Sequence, residues 1–119
     1  MTKPIEFYLS RGFDRRTAEY FASGRRVIQS VTPHADFTLT LRFDNGEIRR
    51  LDAGEVLKPG TVFEPLMAWD IFSRVYLDEN HAVAWDIDPT VDSNTVWNNK
   101  IDLSPDSCYL DSVPETGTN

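Results

Sequence analysis

The first part of the chain places apolar side chains at helical spacing. A short first helix is indicated by apolar residues three and four positions apart: Ile5, Tyr8 and Leu9. A second helix is indicated by Asp14 as its N-cap and by Gly24 just beyond its end. Its apolar stripe is Ala18, Phe21 and Ala22. Residues 1–24 are therefore predicted to form a helical appendage whose apolar stripes need a covering surface.

The hydrophobic period changes to two after this appendage. Residues 27–32 are rich in β-branched side chains, and apolar and polar residues alternate over 37–43, which is typical of half-buried strands. Asn45-Gly46 is the strongest short hairpin signal, because both central residues of a type I′ turn need a positive φ. A two-residue turn at Asn45-Gly46 places Leu41 opposite Arg50 and puts Leu51 out of phase with the apolar face, which predicts a bulge there or an early exit from the sheet.

A main helix is predicted to begin at Pro65, because proline is favoured at the first helical position. Its apolar residues follow the i, i+3, i+4, i+7 pattern of a helix that packs on a sheet: Ala68, Ile71, Phe72 and Val75. A second hairpin with its turn at 78–81, a short strand at 101–103 and a capped helical turn starting at Ser104 follow.

Together these elements predict an α+β fold. It consists of a small antiparallel sheet of hairpins, one main packed helix and the helical N-terminal appendage. The predicted boundaries are 1–24 for the appendage, 25–113 for the α+β domain and 114–119 for a frayed tail.

The charge distribution narrows the range of partners. The chain of 119 residues has a net charge of −7, but the charge is unevenly distributed. Residues 1–50 hold nine basic and six acidic side chains, whereas residues 51–119 hold three basic and thirteen acidic ones. An acidic surface repels phosphate backbones and anionic membranes, so any nucleic-acid role is confined to the basic part and no membrane contact is expected. With one cysteine, no thiolate metal cluster is expected, and no cofactor is predicted. The start of the chain lacks the pattern of a signal peptide, so a cytoplasmic location is expected.

Several short motifs occur in a distinctive order. They are Leu41-Arg-Phe-Asp-Asn-Gly-Glu47, Leu51-Asp52, Gly60-Thr-Val-Phe-Glu-Pro-Leu66, Phe72-Ser-Arg-Val-Tyr76, Ala82-Val-Ala-Trp85 and Asp102-Leu-Ser-Pro105 with Tyr109. In this order the stretch from Val27 to Leu110 resembles the bacterial domain-of-unknown-function family 2442. The resemblance implies a small α+β domain without agreed catalytic residues. Some relatives look like partners in toxin–antitoxin-like gene arrangements, and others carry a DNA-binding helical unit. The appendage and the long insert between Trp85 and Ile101 depart from the family pattern.

The acidic insert is one candidate ligand site. Asp86, Asp88 and Asp92 take positions 1, 3 and 7 of a calcium-loop pattern, but position 12 is Trp97 instead of glutamate. No metal site is therefore predicted. The ligand-binding candidates are Trp85, Asp86, Asp88, Asp92 and Trp97; the alternative is a solvated polar loop, with the tryptophans closing the core.

The appendage is the candidate partner-binding surface. Its candidates are the arginines flanking the second helix and two aromatic residues: Arg15, Arg16, Arg25, Arg26, Tyr8 and Phe21. The arginines suit an acidic protein surface or nucleic-acid phosphates. Alternatively, they pair with carboxylates of the chain itself.

Catalytic motifs are absent from the sequence. It contains no G-x-S-x-G, P-loop or H-E-x-x-H pattern. Cys108 and His81 are a conceivable nucleophile and base, but a lone cysteine beside Tyr109 and Leu110 is more typical of a buried apolar residue. The expected function is that of a non-enzymatic cytosolic module that binds another protein or a second copy. The alternatives are a DNA-binding or antitoxin-like regulator that uses the basic N-terminal segment, and a small-ligand-binding domain or enzyme.

Overall fold

In the computed structural model, which describes residues 3–115, four short helices accompany two antiparallel sheets. The helices are α1 (Ile5–Ser10), α2 (Arg15–Ser23), α3 (Trp69–Phe72) and α4 (Pro105–Asp111), and 3-10 turns lie at Ala53–Glu55, Glu64–Met67 and Trp97–Asn99. None of the helices formed by residues 3–115 is long and apolar enough to cross a membrane. The predicted α+β class with N-terminal helices is confirmed.

The helix ends predicted from local signals are confirmed. The Asp14 side chain accepts a hydrogen bond from the Thr17 amide at 3.2 Å, and Gly24 ends α2 at φ 102°. Ser104 caps α4 by accepting from the Ser107 amide at 3.1 Å. These caps satisfy amide groups that have no partner within the helix.

The larger sheet has four strands in the order β1-β2-β3-β7. They are β1 (Ile28–Pro33), β2 (Thr38–Phe43), β3 (Ile48–Asp52) and β7 (Val113–Pro114). The Glu115 amide also donates to the Ile48 carbonyl at 2.9 Å. The predicted frayed tail is therefore wrong for residues 114 and 115, which pair with β3, whereas 116–119 lie outside the described residues.

The smaller sheet has the order β4-β5-β6. Its strands are β4 (Tyr76–Leu77), β5 (Val83–Asp86) and β6 (Lys100–Leu103). The prediction of hairpins is confirmed, but they form two sheets instead of one. The His81 Nδ1 atom lies 3.1 Å from the Ile28 carbonyl oxygen, so this side chain connects the loop between β4 and β5 to β1 of the larger sheet.

The three hairpins share one loop geometry. The Phe43 amide donates to the Glu47 carbonyl at 2.9 Å, and the Gly46 amide donates to the Phe43 carbonyl at 3.0 Å. The same two hydrogen bonds close the loops spanning 34–38 and 78–82. In each loop the third residue has a positive φ: Phe37 (64°), Gly46 (89°) and His81 (61°). This is the three-residue hairpin loop that ends in a left-handed residue.

The three-residue loop corrects the predicted strand register. Leu39 pairs with Leu51, and Leu41 pairs with Arg49, one position away from the predicted pairing. Leu51 therefore shares the buried face of the sheet without a bulge, and Ile48 is exposed. One extra loop residue is enough to exchange the two faces of the returning strand, because side chains alternate with period two.

Gly46→Ala is expected to lower the free energy of unfolding by about 1 kcal/mol. A Cβ atom at this position meets nothing within 4 Å, so the loss arises from the backbone at φ 89° alone. Thermal unfolding followed by circular dichroism measures it. Gly46→Asn is the control, and its loss is expected to be smaller because asparagine tolerates the left-handed region. Equal melting temperatures for the wild-type and alanine chains would contradict the loop assignment.

The predicted helix from Pro65 to Val75 is wrong in its length. A 3-10 turn at Glu64–Met67 is followed by the single turn α3, and Ala68 between them is extended at φ −85° and ψ 122°. Leu66 and Phe72 are both fully buried. On one straight helix these two positions lie about 120° apart around the axis, and the break at Ala68 lets both enter the core.

The hydrophobic core lies between the two sheets and α4. Its largest side chains are Trp85, Phe43, Phe72, Ile28, Leu39, Leu41 and Leu66. Partly buried aromatic residues, Phe37 and Tyr109 among them, pack around this cluster and connect it to the surface.

Candidate functional site

Tyr20 attaches the appendage to the rest of the chain. Its hydroxyl donates to Asp106 Oδ1 at 2.6 Å and accepts from the Arg26 amide at 3.0 Å, while its ring stacks on Tyr109 at 4.9 Å. Only 5% of the residue is exposed, and burial raises its pKa above the usual value of 10.0. No local pattern identifies Tyr20, because Asp106 and Tyr109 are distant from it in sequence.

Three of the four candidate arginines lie close to carboxylates of the chain itself. The pairs are Arg15 with Glu19 (3.3 Å), Arg25 with Asp106 (3.5 Å) and Arg26 with Asp44 (4.0 Å). Exposed pairs of this kind contribute little stability, but they reduce the positive charge available to a partner. Arg16 is exposed on α2 and lines a groove described below.

The candidate aromatic residues Tyr8 and Phe21 pack mainly against each other. Their rings stack at a centroid distance of 5.7 Å, and the Phe13 ring lies 5.5 Å from that of Phe21. Tyr8 and Phe21 are half-buried, whereas Phe13 is 42% exposed. These contacts hold α1 on α2, so much of the predicted binding surface is used within the appendage.

The acidic insert is an ordered loop, which we call the acidic loop (residues 86–99). It is organised around Asn99, which is buried and was not identified from the sequence. The Asn99 side-chain NH2 donates to the carbonyls of Asp88 (3.1 Å) and Val91 (3.2 Å), and its Oδ1 accepts from the Asp88 amide at 2.9 Å. The buried side-chain amide of Asn99 therefore ties together the two ends of this loop by hydrogen bonds to its backbone.

The carboxylates of the acidic loop serve its own turns. Asp86 Oδ1 accepts from the Tyr76 hydroxyl at 2.8 Å and from Ser93 Oγ at 2.6 Å. Asp88 accepts from Thr90, which lowers the pKa of Asp88, and Asp92 accepts from the Asn94 amide. Within residues 3–115, no three His, Cys, Asp or Glu side chains are placed to hold a metal ion.

The two tryptophans of the predicted ligand site have opposite environments. Trp85 is 1% exposed, its ring stacks on Phe72 at 5.7 Å, and its Nε1 donates to the Phe72 carbonyl at 2.9 Å. Its prediction as a ligand contact is therefore wrong, and it is a core residue. Trp97 is 84% exposed at the end of the acidic loop.

Arg49 is the centre of a buried polar network that sequence reasoning missed. Its Nε and Nη2 donate to the Ser112 hydroxyl (2.8 Å) and carbonyl (2.7 Å), and its Nη1 donates to Glu47 at 3.0 Å. The guanidinium carbon lies 4.2 Å from the centre of the Tyr109 ring. The Tyr109 hydroxyl donates to Glu47 at 2.6 Å, and this bond is the main factor that lowers the pKa of Glu47.

A groove of about 650 Å³ lies between β3, α4 and β7. Leu51, Leu110 and Arg16 are among its lining residues, and Cys108 lies in its wall. Burial raises the pKa of the Cys108 thiol to about 12, so the thiolate that would act as a nucleophile is disfavoured. The Cys108 thiol donates to the Leu103 carbonyl and the His81 imidazole contacts the Ile28 carbonyl, so within residues 3–115 no hydrogen bond joins the considered nucleophile and base.

A second concave region combines exposed apolar side chains with an aromatic floor. Phe37, Leu57 and Met67 line a cavity of about 240 Å³. The Trp69 ring meets the Phe37 ring edge-on at 5.9 Å. Met67 is 45% exposed and Trp69 is 43% exposed. We call these four residues the Met67–Trp69 surface.

Phe37 occupies the left-handed position of its hairpin loop. A residue other than glycine pays about 1–2 kcal/mol for this conformation. Its ring compensates by packing against Phe72 at 5.0 Å and against Trp69. The strained loop thereby places the Phe37 ring at the floor of the cavity. A glycine at position 37 would avoid the backbone strain but would leave the space of the ring empty.

The family match covers both sheets apart from β7, and all of the Met67–Trp69 surface. A family model described as protein of unknown function (DUF2442) matches residues 28–112. Comparisons with curated proteins and with solved structures give no match. The helices α1 and α2 precede the matched region. Since the match covers well over half of the sequence, the chain belongs to the DUF2442 family of proteins of unknown function.

Proposed function

We propose that this protein is a non-enzymatic module that binds another protein through the Met67–Trp69 surface. The observation that carries the proposal is the exposure of Met67 and Trp69 beside a cavity floored by Phe37. Aromatic residues and methionine are enriched in protein interfaces, where large apolar side chains contribute most of the affinity. Concave, apolar surfaces of this kind mark interaction sites.

The break at Ala68 supports the same surface. It separates the turn that carries Met67 from the helix that carries Trp69, while Leu66 and Phe72 anchor both pieces in the core. Met67 and Trp69 are therefore held in place by Leu66 and Phe72, which are buried and lie close to them in the sequence. A surface held in this way loses little conformational entropy on binding.

The chemistry of the reactive groups favours binding over catalysis. The thiol of Cys108 is buried, and the imidazole of His34 is 2.6 Å from the Thr40 hydroxyl. The acidic-loop carboxylates accept hydrogen bonds from their own loop. These groups are used by the fold, whereas Met67 and Trp69 leave 45% and 43% of their surface exposed, although the Trp69 ring also packs on Phe37 and Phe72.

Trp69→Ser is expected to weaken binding of the partner roughly 30-fold, the effect of losing a central interface tryptophan. Native mass spectrometry of the full chain, captured at low salt from the cytosol of its own organism, measures the bound second protein. Trp97→Ser is the matched control, because it removes an even more exposed tryptophan from the acidic loop. It is expected to retain the partner.

Equal capture by the wild-type and Trp69→Ser chains would contradict the proposal. Loss of the partner with Trp97→Ser alone would move the interface to the acidic loop. Thermal unfolding of both variants checks that Trp69→Ser, which also removes the contacts with Phe37 and Phe72, leaves the chain folded.

A further inference from the structure

We propose that the Met67–Trp69 surface receives a cationic amphipathic segment of the partner protein, with one apolar side chain seated over Phe37. This inference rests on the proposed function and specifies its partner. It follows from the size of the cavity and the charge around it.

The size of the cavity favours a side chain over a free ligand. Its volume of about 240 Å³ lies below the roughly 300–1,000 Å³ of typical small-molecule sites. Phe37, Leu57 and Met67 offer it apolar contacts, and Gly54 brings backbone to its edge. One apolar side chain of a larger partner suits this space.

The charge around the surface is predominantly negative. Asp36 lines the cavity, and its carboxylate pairs with Arg50 at 3.0 Å. Asp52 adjoins Gly54 but, like Glu55, lines the groove beside β3. Glu64 belongs to the turn of Met67, and Asp70 follows Trp69. In the segments that carry this surface, 36–37 and 50–74, these five carboxylates outnumber three cations: Arg50, Lys58 and Arg74. Arg74 lies 3.9 Å from Asp70, but this pair is exposed and its mutual screening is weak.

Two of these carboxylates each accept one backbone hydrogen bond from the chain itself. Asp52 Oδ1 accepts only from the Gly54 amide, at 2.9 Å, and Glu64 Oε1 accepts from the Gly60 amide at 2.7 Å. Both carboxylates retain acceptor capacity and a net charge. A partner with lysine or arginine beside its apolar residues therefore gains attraction and a faster encounter.

Fluorescence anisotropy with labelled model peptides tests this chemistry on the full-length protein. The probes are a helical Leu/Lys peptide, a Ser/Lys peptide of equal charge and a Leu/Glu peptide. We expect the Leu/Lys peptide to bind most tightly, with an affinity that falls as salt is added. The Ser/Lys peptide tests charge without apolar contact. The Leu/Glu peptide keeps the apolar residues but reverses the charge, and it is expected to bind more weakly than the Leu/Lys peptide.

Met67→Asp and Val96→Asp locate the bound peptide. Val96 is 42% exposed on the acidic loop, nearly matching Met67 at 45%, and both changes add one negative charge. Met67→Asp is therefore expected to weaken Leu/Lys binding about tenfold although it increases the general attraction. Val96→Asp is expected to leave the affinity unchanged or slightly higher.

Equal affinity for the Leu/Lys and Ser/Lys peptides, or equal loss in both variants, would overturn the inference. If the peptides fail while Trp69→Ser still releases the cellular partner, the proposed function stands and the cationic chemistry is rejected. Sedimentation equilibrium tests the remaining possible occupant, a second copy of this chain. A wild-type dimer that Met67→Asp dissociates would assign the surface to a second copy and would also overturn the inference.

Discussion

Replacing Trp85 with alanine is expected to lower the free energy of unfolding by about 4 kcal/mol, the effect of deleting a fully buried indole. The ring is 1% exposed and stacks on Phe72, which in turn supports Phe37 and Trp69. The cost combines the lost transfer free energy of the indole with the cavity left in the core, because the surrounding side chains relax only in part. Denaturant unfolding measures it.

The matched control is Trp97→Ala, which removes the same side chain from an 84% exposed position. Its free energy of unfolding is expected to stay within about 0.5 kcal/mol of the wild-type value. Trp85→Phe is expected to recover much of the packing but to leave the Phe72 carbonyl without its donor, at a cost of about 1–3 kcal/mol. Similar stability of the Trp85→Ala and Trp97→Ala chains would return Trp85 to the candidate ligand site.

Replacing Arg49 with alanine is expected to destabilise the fold by about 3 kcal/mol. This is the lower end of the effect of breaking a buried ion pair, because the Glu47 side chain is 34% exposed. The change leaves Glu47 without its cation and removes both donors to Ser112, while Tyr109 loses the guanidinium over its ring. The melting temperature is expected to fall by more than roughly 10 °C. Thermal unfolding by circular dichroism is the measurement.

Arg42→Ala is the matched control, because Arg42 is exposed on the adjacent strand. It is expected to change the stability by less than about 0.5 kcal/mol. Acid titration supplies a second measurement. The folded pKa of Glu47 lies below its ordinary value of 4.5, so its contribution is present above that value and is lost as the pH falls through the folded pKa. Equal melting temperatures for the two arginine variants would contradict the network's role. Unchanged acid sensitivity in Tyr109→Phe, which removes the main hydrogen bond to Glu47, would contradict it as well.

Signals between near neighbours predicted the secondary structure well. Asp14 and Ser104 cap their helices, and Asn45-Gly46 lies in a hairpin loop. These features depend on contacts within a few residues, so the sequence pattern contains both partners. The loop length was not predictable in the same way, because the Asn-Gly pair suits both a two-residue turn and the observed three-residue loop.

The candidate site was predicted less well. Trp97 was identified as an aromatic candidate and is strongly exposed, but Met67 and Phe37 gave no functional signal. Trp69 lies outside the apolar pattern of the predicted long helix, so periodicity gave it no role. The cavity exists only because Ala68 breaks that helix and the 34–38 loop turns Phe37 toward it.

By itself, the sequence determined the α+β class, the helical appendage, the helix caps and the hairpins. Helix and strand periodicity and helix capping are local properties, so the pattern of neighbouring residues contains them. Only the tertiary structure decided that Trp85 is core, that Arg49 joins Ser112 and that Tyr20 joins Asp106. These partners lie more than 60 residues apart in two cases, and their contact depends on strand register and sheet packing. Such contacts follow from the free energy of the whole fold, so no local pattern of residues contains them.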